Sequence, residues 1–106
     1  MRNYQLRVYT LSSAEALDRY RTIHYPRHLS SFLKFDIGIH GLWTDSAGEP
    51  KLYALLSFPA DADLAEITER YLASPELRAD MEGFDTTAIV EVATTQLTPS
   101  PGSPLL

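Results

Sequence analysis

From Tyr4 to Leu11 (YQLRVYTL) the hydrophobic positions are rich in aromatic and β-branched types, which reads as a strand. Ser12 and Ser13 interrupt it. Ser12 and Glu15 have the spacing of a capping box, so a helix is predicted to start here, with Leu17, Tyr20, Ile23 and His24 on its inward face. Pro26 withholds a backbone donor and crowds the preceding turn. That predicts a kink or break near residues 22–25, with helix resuming through Leu29, Phe32 and Leu33. Ile37 to Thr44 (IGIHGLWT) and Lys51 to Phe58 (KLYALLSF) read as strands, joined across the polar Asp45-Ser46-Ala47-Gly48 turn as a hairpin. Asp63 with Glu66 caps a second helix whose apolar face is Leu64, Ile67, Tyr71 and Leu72. Ser74-Pro75 restarts it, with Ser as N-cap and Pro where no donor is lost, and Leu77, Met81 and Phe84 extend the stripe. Thr87 to Leu97 is the fourth strand. The tail, Thr98 to Leu106, carries three prolines and a glycine and forms no regular element.

The order β-α-β-β-α-β with right-handed crossovers predicts an α+β, ferredoxin-like sheet in the order 4-1-3-2, both helical segments on one face. One domain over residues 1–97 is expected, with 98–106 as a proline-rich tail. Alternation within each strand suggests one strongly apolar face, including Leu6, Val8, Ile39, Trp43, Ala54 and Leu56, turned toward the helices. The other face, with Arg7, Tyr9, His40, Tyr53, Leu55 and Glu91, is mixed and too apolar to leave in water. A partner sheet is the simplest cover, which predicts a homodimer.

Composition narrows the partners. Fourteen acidic and nine basic residues give a net charge of −5, with no cluster of Lys and Arg. Nucleic acid and anionic membrane surfaces are therefore not expected partners. Cysteine is absent, which excludes disulfides, thiol nucleophiles and Cys-based zinc sites. No apolar run approaches the ~20 residues of a membrane helix. No signal peptide is apparent, so a cytoplasmic location is the expectation.

Three stretches, YQLRVYTL, IHGLWTD and YLASPELRADMEGFD, resemble the NIPSNAP family of the dimeric α+β barrel superfamily. The resemblance covers nearly all of the chain up to Leu97. It implies a dimer whose two sheets close a barrel, helices outside, and a cleft between helices and sheet. Superfamily relatives include cofactor-free monooxygenases, haem-handling enzymes, muconolactone isomerases and non-catalytic binders, so fold does not select a chemistry.

The most unusual stretch is His24-Tyr25-Pro26-Arg27-His28. Its two histidines are four apart, which places both on one side of a helix, and imidazole moves protons near neutral pH. His24 continues the Leu17–Tyr20 stripe inward and is the first candidate acid/base, expected on a cavity wall; the ordinary alternative is a satisfied core histidine. His28 is a second candidate, with His28 or Arg27 as an anion anchor. A metal would need His40 as third ligand, and regular alternation turns His40 away from the helices, so no metal and no cofactor are expected. Arg7 and Glu91 read as a cross-strand ion pair, with Arg7 as a substrate-carboxylate anchor the alternative. Trp43, Tyr20 and Tyr71 are candidates for an aromatic pocket wall.

Two functions remain in view from the residues. One is an enzyme or binder for an apolar, aromatic or polyketide-like small molecule, working without cofactor by proton transfer or oxygenation. The other is a structural or interaction dimer without catalysis.

Overall fold

A computed structural model describes residues 2–105. Strand β1 (Arg2–Leu11) leads into α1 (Ala14–Arg19), a π-helical turn (Tyr20–His24) and α2 (Tyr25–Leu33). The hairpin β2 (Gly38–Thr44) and β3 (Lys51–Pro59) follows, then α3 (Leu64–Leu72), α4 (Pro75–Asp80), a 3-10 turn (Thr86–Ala88) and β4 (Ile89–Leu97). The sheet order is β2-β3-β1-β4, every neighbouring pair antiparallel, as the crossover argument requires. The sheet is open, with β2 and β4 at its edges. Residues 98–105 contain no helix or strand. Among the described residues no helix is long and apolar enough to cross a membrane.

Caps fall close to the predicted places. Asp63 Oδ1 accepts from the backbone N–H groups of Ala65 and Glu66, and Ser74 Oγ from that of Leu77, with Pro75 at the first helical position. The first helix is capped one residue later than Ser12: Ser13 Oγ accepts from the Ala16 N–H at 3.0 Å. Pro26 acts through the π turn, in which the Tyr25 N–H bonds the Tyr20 carbonyl five residues back. The extra residue advances the buried stripe by one position. Tyr25 and His28 turn inward with Phe32, whereas Ile23, Leu29 and Leu33, expected inside, are exposed.

Faces of the sheet depart from simple alternation. Register pairs Tyr9 with Leu52 and Val92, and Arg7 with Ala54 and Thr94, so these residues share the helix-covered face. Leu6 and Val8, predicted toward the helices, stand on the open face opposite Leu55 and Tyr53. In β2 the register shifts between Ile39 and Gly41, a bulge at His40. It turns Leu42 toward the helices and Trp43 away, correcting the placement of Trp43 in the core. Trp43 lies on the open face, 53% exposed, with its indole over Gly41, where a β-carbon would clash. Glu91 pairs in register with Thr10 on the open face, so the Arg7–Glu91 ion pair does not form.

The core joins Tyr9, Leu11, Leu52 and Leu56 of the sheet to Tyr20, Tyr25, Phe32 and Tyr71 of the helices. Each such buried side chain contributes roughly 1.5–3 kcal/mol. Tyr9, Tyr20 and Tyr25 meet edge-on at centroid distances of 5.3–5.5 Å, with the Tyr9 and Tyr25 hydroxyls 3.1 Å apart.

Candidate functional site: a cavity beside a carboxylate–histidine pair

The second helical segment leaves a gap where it passes over β1 and β4. The gap is a cavity of about 850 Å³. Its apolar lining includes Phe32, Leu64, Leu72, Leu77, Met81 and Ile89, and its polar lining includes Gln5, Arg7, Tyr9, Tyr20, His28 and Tyr71. Val92, Thr94 and Gln96 border it on β4, a strand whose residues are almost all exposed, so the cavity opens along that edge. A largely apolar hollow with a few convergent polar groups is the usual form of a small-molecule site.

Asp80, at the end of α4, organises the polar side. Its carboxylate is buried and accepts from His28 Nδ1 at 2.9 Å, from the Tyr71 hydroxyl at 2.8 Å and from Ser31 Oγ at 2.9 Å. Burial works to raise the Asp80 pKa, but these three donors outweigh it and hold the group below the usual carboxylate range. The Tyr71 oxygen also lies 2.5 Å from His28 Nδ1. Burial is the main cause that keeps the Tyr71 phenol protonated, followed by the Asp80 carboxylate.

His28 is consequently fixed in one tautomer. Nδ1–H faces Asp80, and Nε2 keeps a lone pair with no hydrogen bond among the described residues. The ring lines the cavity, stacked on Phe32 at 5.0 Å and edge-on to Tyr25 at 4.8 Å. Burial lowers its pKa; hydrogen bonding and charge from Asp80 oppose this, while Arg7 and His24 reinforce it. The ring is therefore neutral at physiological pH. A neutral imidazole whose Nε2 borders a cavity is chemically a base, and the carboxylate behind it stabilises the imidazolium that forms on proton uptake.

The other predicted residues take different places. Tyr20 and Tyr71 line the cavity. His24 does not. It is buried against Phe84 at 4.9 Å with Nδ1 on the Asp80 carbonyl at 3.1 Å, and its Nε2 has no partner among the described residues. Arg27 is a helix-end cap, its Nη1 donating to the carbonyls of Ala79, Asp80 and Glu82. Trp43 lies across the sheet from the cavity. His40 is on that open face too, bonded to Ser57 Oγ at 2.7 Å and 5.3 Å from the Tyr4 ring, so the three histidines do not assemble. Among the described residues no group of three His, Asp or Glu side chains is placed to hold a metal.

Asp80 is the residue that the sequence reading passed over. A signal was present: Asp80 follows Leu77 by three residues and precedes Phe84 by four, which puts a carboxylate on the apolar stripe.

The NIPSNAP family model matches residues 4–104. Solved structures of similar fold include a NIPSNAP domain protein from Burkholderia xenovorans (19% identity, TM-score 0.75, covering 98% of this chain and 99% of that one). A NIPSNAP family protein of unknown function from Agrobacterium tumefaciens is 18% identical, with TM-score 0.76 and coverage of 99% and 94%. A second family protein from A. tumefaciens is 15% identical, with TM-score 0.74 and full coverage of both chains. No curated protein matches the sequence.

Proposed function

This chain belongs to the NIPSNAP family, and we propose that it is a homodimeric small-molecule-binding domain that transfers protons without a cofactor. The ligand is a mainly apolar compound held in the cavity of α3, α4, β1 and β4. His28 is the acid/base, Asp80 sets its tautomer and stabilises its charged form, and Tyr20 supplies a hydroxyl donor. The observation that carries the reading is the His28 ring on the cavity wall, its Nδ1 held by Asp80 and its Nε2 without a hydrogen bond among the described residues. The dimer is supported by the open sheet face, where Trp43 is exposed and Leu6, Val8, Tyr53 and Leu55 are only partly buried. An antiparallel sheet with an apolar second face is stabilised by covering it.

A second reading is a binder or interaction dimer without catalysis. It is favoured by the crowding at His28 Nδ1, which has both Asp80 and Tyr71 within hydrogen-bond distance, as a purely structural histidine would. Proton exchange separates the two. 2-Tetralone, an apolar ketone with acidic C–H bonds, is incubated in D2O with protein and followed by NMR. Proton transfer predicts faster deuterium incorporation with the wild type and loss of the acceleration in His28→Gln, with ketone binding retained. Binding without acceleration in the wild type would favour the non-catalytic reading.

A further inference from the structure

We propose that Arg7 and Gln5 form a carboxylate-binding subsite in the cavity, so that the ligand is an apolar monocarboxylate. The inference rests on the cavity being the ligand site and specifies the chemical class of what enters it.

Arg7 occupies the middle of β1 on the helix-covered face, between Ala54 of β3 and Thr94 of β4, and Gln5 is the next residue on that face, beside Gln96. Both line the cavity. Arg7 Nε donates to Gln5 Oε1 at 2.5 Å, which aligns the guanidinium. Its two terminal nitrogens have no acceptor, and no carboxylate lies within ion-pair distance of Arg7 among the described residues. The Gln5 amide nitrogen is likewise unbonded. Other arginines are used differently: Arg2 pairs with Asp36, Arg21 with Asp18, and Arg27 with helix-end carbonyls.

A partly buried cation without a counter-ion is costly unless something pairs with it. Here the unpaired guanidinium edge and an amide donor share a largely apolar hollow, the arrangement that receives a planar carboxylate in bidentate fashion. One guanidinium matches one negative charge. A phosphate dianion would call for a second buried cation or an uncapped helix N-terminus; the cavity's other arginine, Arg78, is exposed at the rim, and at the start of α3 the Ala65 and Glu66 N–H groups already donate to Asp63. The Arg7 charge also acts on Tyr20, Tyr71 and His28, so a carboxylate bound there lies in the electrostatic reach of the proposed acid/base.

The test compares acid and amide forms of the same apolar body. 2-Naphthylacetate and 2-naphthylacetamide, with the 2-naphthoate and 4-phenylbutanoate pairs beside them, are titrated by calorimetry against wild type, Arg7→Gln and Arg7→Lys. The wild type should prefer each binding acid over its amide by about ten- to a hundredfold, the range of a charge-assisted pair. Arg7→Gln should remove that preference, with acid affinity falling to that of the amide, and Arg7→Lys should keep part of it. The Arg7 side-chain Nε–H resonance of the wild type should shift with acid and not with amide, which decides the matter even if the variants fail to fold. Equal binding of acid and amide, or a preference that survives Arg7→Gln, would overturn the subsite and leave the cavity reading standing. Failure of every pair to bind the wild type would overturn both.

Discussion

Replacing Asp80 with Ala tests the organisation of the whole site. Asp80 ends a short helix, where its charge opposes the helix dipole. Taken alone, Asp80→Ala would gain a few tenths of a kcal/mol of helix propensity and remove that opposition. The tertiary structure predicts the reverse. Three buried donors, from His28, Tyr71 and Ser31, lose their acceptor. Each unsatisfied group costs about 1–3 kcal/mol, the costs are not additive, and water entering from the cavity recovers part. A net loss of about 3–5 kcal/mol follows, in line with breaking a buried pair, and the melting temperature should drop by at least ~12 °C. Urea denaturation measures the first quantity and calorimetry the second. Asp80→Asn should be milder, at about 1–2 kcal/mol. Its carbonyl oxygen can still accept hydrogen bonds from His28 Nδ1–H and Tyr71, with its NH2 turned to the Ser31 hydroxyl, which can accept, so His28 should keep its Nδ1–H tautomer. Long-range 1H–15N spectra read that tautomer directly. A loss below ~1 kcal/mol for Asp80→Ala, the range of an ordinary surface substitution, would refute the reasoning. A wild-type His28 protonated on Nε2 would refute it as well.

Acid should destabilise the fold in two steps. The native His28 pKa lies below its unfolded value of 6.5 and that of Asp80 below 3.8, so in each window the unfolded chain takes up the proton first and stability falls as pH drops. Urea midpoints at pH 7.5 and 5.5 should show a decrease in the wild type and a smaller one in His28→Gln; equal decreases would remove His28 from the linkage. Trp43→Glu places a charge on the open face and should leave the fold intact while converting a dimer to monomer in sedimentation; a wild type that is monomeric at micromolar concentration would contradict the proposed dimer, whose interface should bury at least about 1,200 Å² in total. Deleting residues 99–106 removes mostly exposed positions, Pro99 and Ser103 being half-buried, and should cost less than ~1 kcal/mol in a urea titration; loss of folded protein would make the tail part of the core.

What the sequence alone determines here is whatever depends on neighbours along the chain. The aromatic and β-branched run in β1, the Asp63 and Ser74 caps and the break forced by Pro26 are local, and they led to the right elements and, through the handedness of crossovers, to the right strand order. The stripe through Tyr20, His24 and His28 is local too, and both histidines do converge, though on a residue more than fifty positions away. Tertiary structure decided the rest. Alternation says which residues of one strand share a face, but only inter-strand register says which faces of different strands coincide. That register puts Arg7 on the cavity face, and the bulge at His40 reverses half of β2, which is why Trp43 lies on the open face. The π turn likewise adds one residue to a helix, and a phase advanced by one position buries Tyr25 at the expense of Leu29 and Leu33. Asp80 shows the limit most plainly. A carboxylate becomes the centre of a site only when a second helix is laid against it, because the donors that hold its charge come from Ser31, His28 and Tyr71 on other helices, and no spacing along the chain records that meeting.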